Sequence, residues 1–214
     1  TGKTPTIISL YNILKKFNKN ISTAKKFYSI QKDEHQLLKN TNLILGKTRK
    51  EIIKKAISLK KKILLFDDGL QDKYIDYDLK FVCFDTNKWI GNGRLIPSGP
   101  LREKMDSLQK YDVVFLKGEK KSNKTFTRLI HKINPKIKVF TTKFEITNLK
   151  KFNKKNNFLI FSGIGNSDDF KKTLIKNKFK VVKEIVYPDH YQYKNSDIKK
   201  INNLAKKMNA KIIT

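Results

Sequence analysis

Ile63-Leu64-Leu65-Phe66-Asp67-Asp68-Gly69 is an apolar run that ends on two adjacent carboxylates and a glycine. Four successive apolar residues without polar alternation suit a buried strand of a parallel sheet covered by helices. Carboxylates at the carboxyl end of such a strand stand where α/β sheets hold their ligands. An ordinary acidic turn also accommodates Asp67-Asp68-Gly69, but gives no reason for two charges against an apolar strand.

The pattern repeats outward from this strand. Upstream, Ile7, Ile8, Leu10, Tyr11, Ile13, Leu14 and Phe17 fall at helical spacing directly after Thr1-Gly2-Lys3-Thr4-Pro5, so a loop feeds a helix. A short strand is expected over 42–45 and a helix over 49–59. Downstream, residues 81–84 and 113–116 repeat the strand pattern, and a helix over 122–133 leads to a strand at Val139-Phe140. Strands alternating with helices predict an α/β sheet with crossover connections. Residues 147–157, dense in Lys and Asn, read as a linker. A second unit follows, with a strand over 158–161, the turn Gly163-Ile164-Gly165-Asn166, a helix over 168–176 and a strand over 181–186. A helix over 196–208 and a strand at 211–214 come last. The expected organisation is a first α/β domain over 1–146, a linker over 147–157 and a smaller α/β domain over 158–214.

At 214 residues, 38% hydrophobic and 11% aromatic, the chain can bury one large core or two modest ones. The net charge of +29 suggests a polyanionic partner, a nucleic acid or an anionic membrane face. Only Arg49, Arg94, Arg102 and Arg128 are arginines, however, and the remaining basic residues are lysines spread among abundant Asn and Ile. A coding bias toward Lys, Asn and Ile explains that mixture equally well. Base-edge recognition favours arginine forks with interleaved aromatics, and no such cluster occurs. The single cysteine, Cys83, excludes a disulfide framework. No stretch approaches the roughly 18 apolar residues of a membrane span, and no signal peptide is visible.

Four segments carry chemistry. Thr1-Gly2-Lys3-Thr4 matches the tail of the phosphate-loop pattern G-x-x-x-x-G-K-[ST], in which backbone N–H groups, the lysine and the hydroxyl meet phosphates and Mg²⁺. A chance Gly-Lys-Thr at a helix start is the alternative. The strand ending in Asp67-Asp68 favours the phosphate loop, because a strand-end carboxylate orders the magnesium water shell. Asp33-Glu34-His35 is either a solvated helix start or a source of a proton acceptor. Residues 91–103 gather three of the nine glycines, two of the five prolines and two of the four arginines, so this segment must be a shaped loop suited to an anionic ligand. Finally, His190 follows Asp189 just past a strand and can tune an acid or donate to a phosphate. His131, on a Lys-rich helix, reads as structural.

In this order, T-G-K-T-P, D-E, D-D-G-L-Q, G-N-G-R-L-I-P-S-G-P-L-R-E, F-S-G-I-G-N and D-H resemble the successive motifs of the lipid A 4'-kinase (tetraacyldisaccharide 4'-kinase) family across the whole chain. The glycine- and arginine-rich block is the most specific of them. The resemblance implies a P-loop NTPase-like three-layer α/β/α domain and a second α/β domain, with the active site between them. It implies transfer of the ATP γ-phosphate to the 4'-hydroxyl of a tetraacylated, 1-phosphorylated glucosamine disaccharide in lipid A (lipopolysaccharide) biosynthesis. The enzyme is then expected at the cytoplasmic face of a Gram-negative inner membrane, with ATP and Mg²⁺ as cofactors, a lipid substrate and an anionic membrane surface as partners, and no nucleic acid. By motif, Thr1, Gly2, Lys3 and Thr4 bind nucleotide, while Thr4, Glu34 and Asp67 serve the metal. Asp33 is the catalytic base, assisted by His190. Asp68, Gln71, Asn92, Arg94 and Arg102 contact substrate. The resemblance also implies further chain beyond both ends. Leu70 and Asp72 depart from the family's Phe and His, and no role is carried to Asp72. A P-loop kinase or NTPase with a soluble substrate is the rival reading, and a basic nucleic-acid-binding protein is a more distant one.

Overall fold

Every strand-to-strand pairing among the described residues is parallel in the computed structural model. The structure describes residues 2–28, 32–72, 74–118, 120–143, 145–146 and 148–214, with the side chains of 32–34 and 120–122 outside that set. Two units divide the chain, residues 1–145 and 146–214.

The first unit runs α1 (Lys3–Leu14), β1 (Ile21–Lys26), α2 (Lys32–Leu38), β2 (Ile44–Gly46), α3 (Arg49–Ser58), β3 (Ile63–Phe66), β4 (Phe81–Asp85), β5 (Val113–Lys117), α4 (Lys120–Ile133) and β6 (Lys138–Thr142). Its strands form sheets of order β2-β1-β3 and β4-β5-β6. Ile52 and Ala56 of α3 pack on Ala24, Ile44, Leu64 and Phe66, and α1 also lies against β1 and β3. In the other sheet Ile130 and Phe126 of α4 close over Val82, Val114 and Leu116. Thr6 of α1 reaches Cys83 of β4 at 3.8 Å, so α1 touches both sheets.

The run at 63–66 is a parallel strand as expected, but its side chains are only partly buried because β3 ends the row. The central strand is β1, which the hydrophobic pattern does not announce. Its Ser22, Thr23 and Lys25 are buried polar residues. Such burial normally comes with hydrogen-bonding partners, and Ser22 Oγ, which has none, is the exception among these three. Thr23 finds the Thr41 hydroxyl at 2.5 Å, and Lys25 finds Asp67.

The second unit runs β7 (Asn157–Ser162), α5 (Ser167–Lys176), β8 (Lys180–Val186), α6 (Asn195–Lys207) and β9 (Ala210–Ile213), with sheet order β8-β7-β9. Here the uninterrupted apolar run has its full meaning. Phe158 and Ile160 face α5 through Leu174, while Leu159 and Phe161 face α6 through Ile201 and Ala205. Much of the tract read as a linker belongs to this unit, since Leu149 and Phe152 pack on the α5 side of its core.

Candidate active site

Gly2, at φ 82° and ψ 15°, sits in the left-handed region that glycine adopts without steric cost, and the chain turns there into α1. Lys3 and Thr4 therefore open a helix, whose free N–H groups and dipole favour an anion. Thr4 Oγ1 donates to Asp67 Oδ2 at 2.8 Å. Lys25 Nζ approaches the same oxygen at 3.0 Å, and Asp67 is only 3% exposed. A carboxylate buried this deeply needs such partners.

Asp68 turns the other way. Its φ of 61° lifts the side chain off the strand line, and its Oδ1 accepts from Lys3 Nζ at 2.5 Å and Arg102 Nη1 at 2.7 Å. Burial alone would raise the Asp68 carboxyl, but hydrogen bonds from Lys3 and Arg102 outweigh it and hold the group below its ordinary value. Arg49 Nη2 donates to the Asp68 carbonyl at 2.5 Å and lies 3.5 Å from Asp72 through Nη1. Gln71, in the amide orientation that satisfies both its atoms, donates to the Asp68 carbonyl at 3.1 Å and accepts from Arg102 Nη1 at 3.0 Å. Gly69 lacks room for a side chain: an added Cβ would lie 2.9 Å from Tyr77 Oη, which donates to the Gly69 carbonyl.

The glycine- and arginine-rich segment is a braced, exposed loop. Gly91 and Gly93 have φ of 56° and 73°. Asn92 Oδ1 accepts from Arg94 N at 3.1 Å, and Asn92 Nδ2 donates to the Ser98 carbonyl at 2.8 Å. The two legs are tied by Leu101 N to the Arg94 carbonyl and Ile96 N to the Leu101 carbonyl. At its root, Asp85 pairs with Lys117 at 2.9 Å and accepts from Asn87 N, while Trp89 stacks on Phe126 at 3.9 Å.

Lys3, Thr4, Asp67, Asp68, Gln71 and Arg102 thus converge, joined by Lys25 and Arg49, which the motifs did not single out. Lys25 had one sequence signal, its place at the end of a strand, and that strand was hidden by its polar residues. Asn92 braces the loop, and Arg94 is exposed upon it. Asp33 and Glu34 lie in α2, with side chains outside the described set, and Thr1 is also outside it. His190 stands in the second unit, within the loop between β8 and α6, with φ 59°.

A helix that opens on a glycine, lysine and threonine, held against strand-end carboxylates in a parallel α/β unit, defines the P-loop nucleotide-phosphate-binding class. The family model for Tetraacyldisaccharide-1-P 4'-kinase matches residues 1–214. A tetraacyldisaccharide 4'-kinase of Pelagibacter ubique is 46% identical over 215 residues, covering all of this chain and 68% of that protein. One from Rickettsia bellii is 34% identical over 232 residues, covering all of this chain and 70% of that protein. The chain belongs to the tetraacyldisaccharide 4'-kinase family. The crystal structure of LpxK from Aquifex aeolicus in complex with ATP superposes with a TM-score of 0.62 at 18% identity, covering 91% of this chain and 69% of that one, and so shares the fold.

Proposed function

We propose that this protein transfers the γ-phosphate of ATP to the 4'-hydroxyl of tetraacyldisaccharide 1-phosphate. The observation that carries the reading is the shared cluster of Lys3, Asp68 and Arg102 beside the Thr4–Asp67 pair. Two cations held on one carboxylate are placed to exchange it for phosphate oxygens. Phosphoryl transfer depends mostly on such positioning and charge neutralisation.

In this reading the helix start at Gly2, Lys3 and Thr4 cradles the phosphates. Thr4, Glu34 and Asp67 would hold Mg²⁺, and the ion would neutralise phosphate charge when bound. Asp33 accepts the proton of the 4'-hydroxyl as its oxygen bonds to the γ-phosphorus, and the bond to the β-phosphate oxygen breaks to release ADP. By its motif, His190 of the second unit is read as a further catalytic residue. Arg102, Gln71, Asn92 and Arg94 face the disaccharide and its 1-phosphate. A lipid substrate together with ATP as phosphate donor supports action at the cytoplasmic face of the inner membrane; no described helix is long and apolar enough to cross a membrane.

The test is an assay of the protein with ATP, Mg²⁺ and the disaccharide lipid. We expect 4'-phosphorylated product, and a fall in kcat of about 10²–10⁴-fold in Asp33→Ala. Full activity of that variant would remove Asp33 as the base, and absence of transfer by the wild type would remove the function.

A further inference from the structure

Lys25 is the one buried lysine among the described residues: its side chain is 5% exposed, and that of its partner Asp67 1%. Coding bias adds lysines to surfaces, but it does not carry one into the central strand of a sheet. Stability is not a sufficient reason either, because a buried ion pair is often no more stable than well-packed apolar residues of like volume. The backbone brings the pair together. Ala24 of β1 lies opposite Phe66 of β3 in parallel register, and Asp67 N donates to the Ala24 carbonyl at 2.8 Å, so Lys25 and Asp67 follow side by side at the carboxyl ends of adjacent strands. On its other edge Lys25 pairs with Leu45 of β2. Side chains alternate along a strand, and since Ala24 faces the core with α3, Lys25 points away from it, toward the carboxylate oxygen that Thr4 of α1 also reaches.

Both contacts fall on one atom: Asp67 Oδ2 accepts from Thr4 Oγ1 at 2.8 Å and from Lys25 Nζ at 3.0 Å. Two donors on one oxygen fix the rotation of the carboxylate and turn Oδ1 the other way. A threonine hydroxyl has a single proton, and when Asp67 accepts it the Thr4 oxygen offers only lone pairs to a ligand at the helix start. We propose that Lys25 is a positioning residue, an ammonium that holds the Asp67 carboxylate in the orientation that keeps the Thr4 oxygen aimed at the metal ion of Mg·ATP. This rests on the reading of Thr4 and Asp67 as residues that serve Mg²⁺. Lys3 is held by Asp68 rather than by this pair, so the capture of phosphates without metal does not depend on Lys25.

The experiment measures ATP binding to the full-length protein by equilibrium dialysis, in EDTA and in Mg²⁺, for wild type, Lys25→Met, Asp67→Asn and the double variant. We expect Mg²⁺ to tighten binding about 10-fold in the wild type and less than about twofold in Lys25→Met and in Asp67→Asn, while each variant binds metal-free ATP within about twofold of wild type. In the Asp67→Asn background, Lys25→Met should change neither affinity by more than about twofold, because the carboxylate through which it acts is already gone. The double variant removes both buried charges together, so this comparison stands even if Lys25→Met alone, left with an uncompensated carboxylate, does not fold. A full Mg²⁺ gain in Lys25→Met, an equal loss of metal-free and metal-bound ATP affinity in it, or a further loss when it is added to Asp67→Asn would overturn the positioning role while leaving Asp67 with the metal. A full gain in Asp67→Asn, or none in the wild type, would overturn the reading of Thr4 and Asp67, and the role of Lys25 with it.

Discussion

Asp68 shows at the scale of one side chain how the site is held together. Its carboxylate gathers Lys3 and Arg102, and those hydrogen bonds depress its pKa below the ordinary 3.8 against the opposing effect of burial. A carboxyl whose native pKa is lowered contributes stability that is complete above its ordinary value and is lost as pH falls through the native one. The Asp68 side chain is 33% exposed, so after solvent screening its contribution is about 1 kcal/mol or less. The gap in urea midpoint between wild type and Asp68→Asn is therefore expected to be constant from about pH 7 to 5 and to shrink below about pH 4. A gap that persists undiminished to about pH 2 would show that the hydrogen bonds do not depend on the charge. Asp67 and Asp68 were legible because two acids after an apolar run are conspicuous. Lys25, which shares Asp67 with Thr4, was not, since one more lysine in a Lys-rich chain carries no mark until its burial is seen.

At the scale of elements, sequence legibility follows the way each strand is buried. β7 announces itself because helices cover both its faces and its four central positions, 158–161, are all apolar. β1 is equally buried, yet Thr23 and Lys25 are polar because they meet the Thr41 hydroxyl and the Asp67 carboxylate, while Ala24 joins the apolar core. Pattern reading passes over such a strand. The glycine- and arginine-rich loop was legible as a shaped object, but its bracing was not. Gly99 is the tightest point: an added Cβ would lie 2.2 Å from Asn92 Oδ1 and 2.4 Å from the Arg94 carbonyl oxygen. Gly99→Ala must therefore push apart the two legs that carry Arg94 and Arg102. We expect kcat/KM for the lipid to fall about 10-fold, with a thermal midpoint changed by no more than about 4 °C, because the exposed loop tip adds little to the core. Unchanged kcat/KM would mean that the loop's shape is not what recognises substrate.

At the scale of the molecule, the net charge of +29 is the feature that the site explains least, since only a few cations converge there. A lipid substrate gives the remainder a use. Each lysine near an anionic bilayer contributes about 1 kcal/mol, within a screening distance of about 8–10 Å. The far end of α1 joins this charge to an apolar group: Phe17 is 85% exposed and stands among the exposed Lys15, Lys16 and Lys19. Lysines that merely reflect coding bias would be indifferent to the bilayer's charge, whereas lysines that dock the enzyme would not. Binding to vesicles containing anionic phospholipid is thus expected to weaken steeply as salt rises from about 0.05 M to 0.5 M, and binding to neutral vesicles to be slight throughout. Phe17→Ser should lower the binding that survives at high salt, where the hydrophobic contribution alone remains. Equal binding to neutral and anionic vesicles would return the excess lysines to composition, leaving the cations of the active site and its loop as the part of the charge with an assigned role.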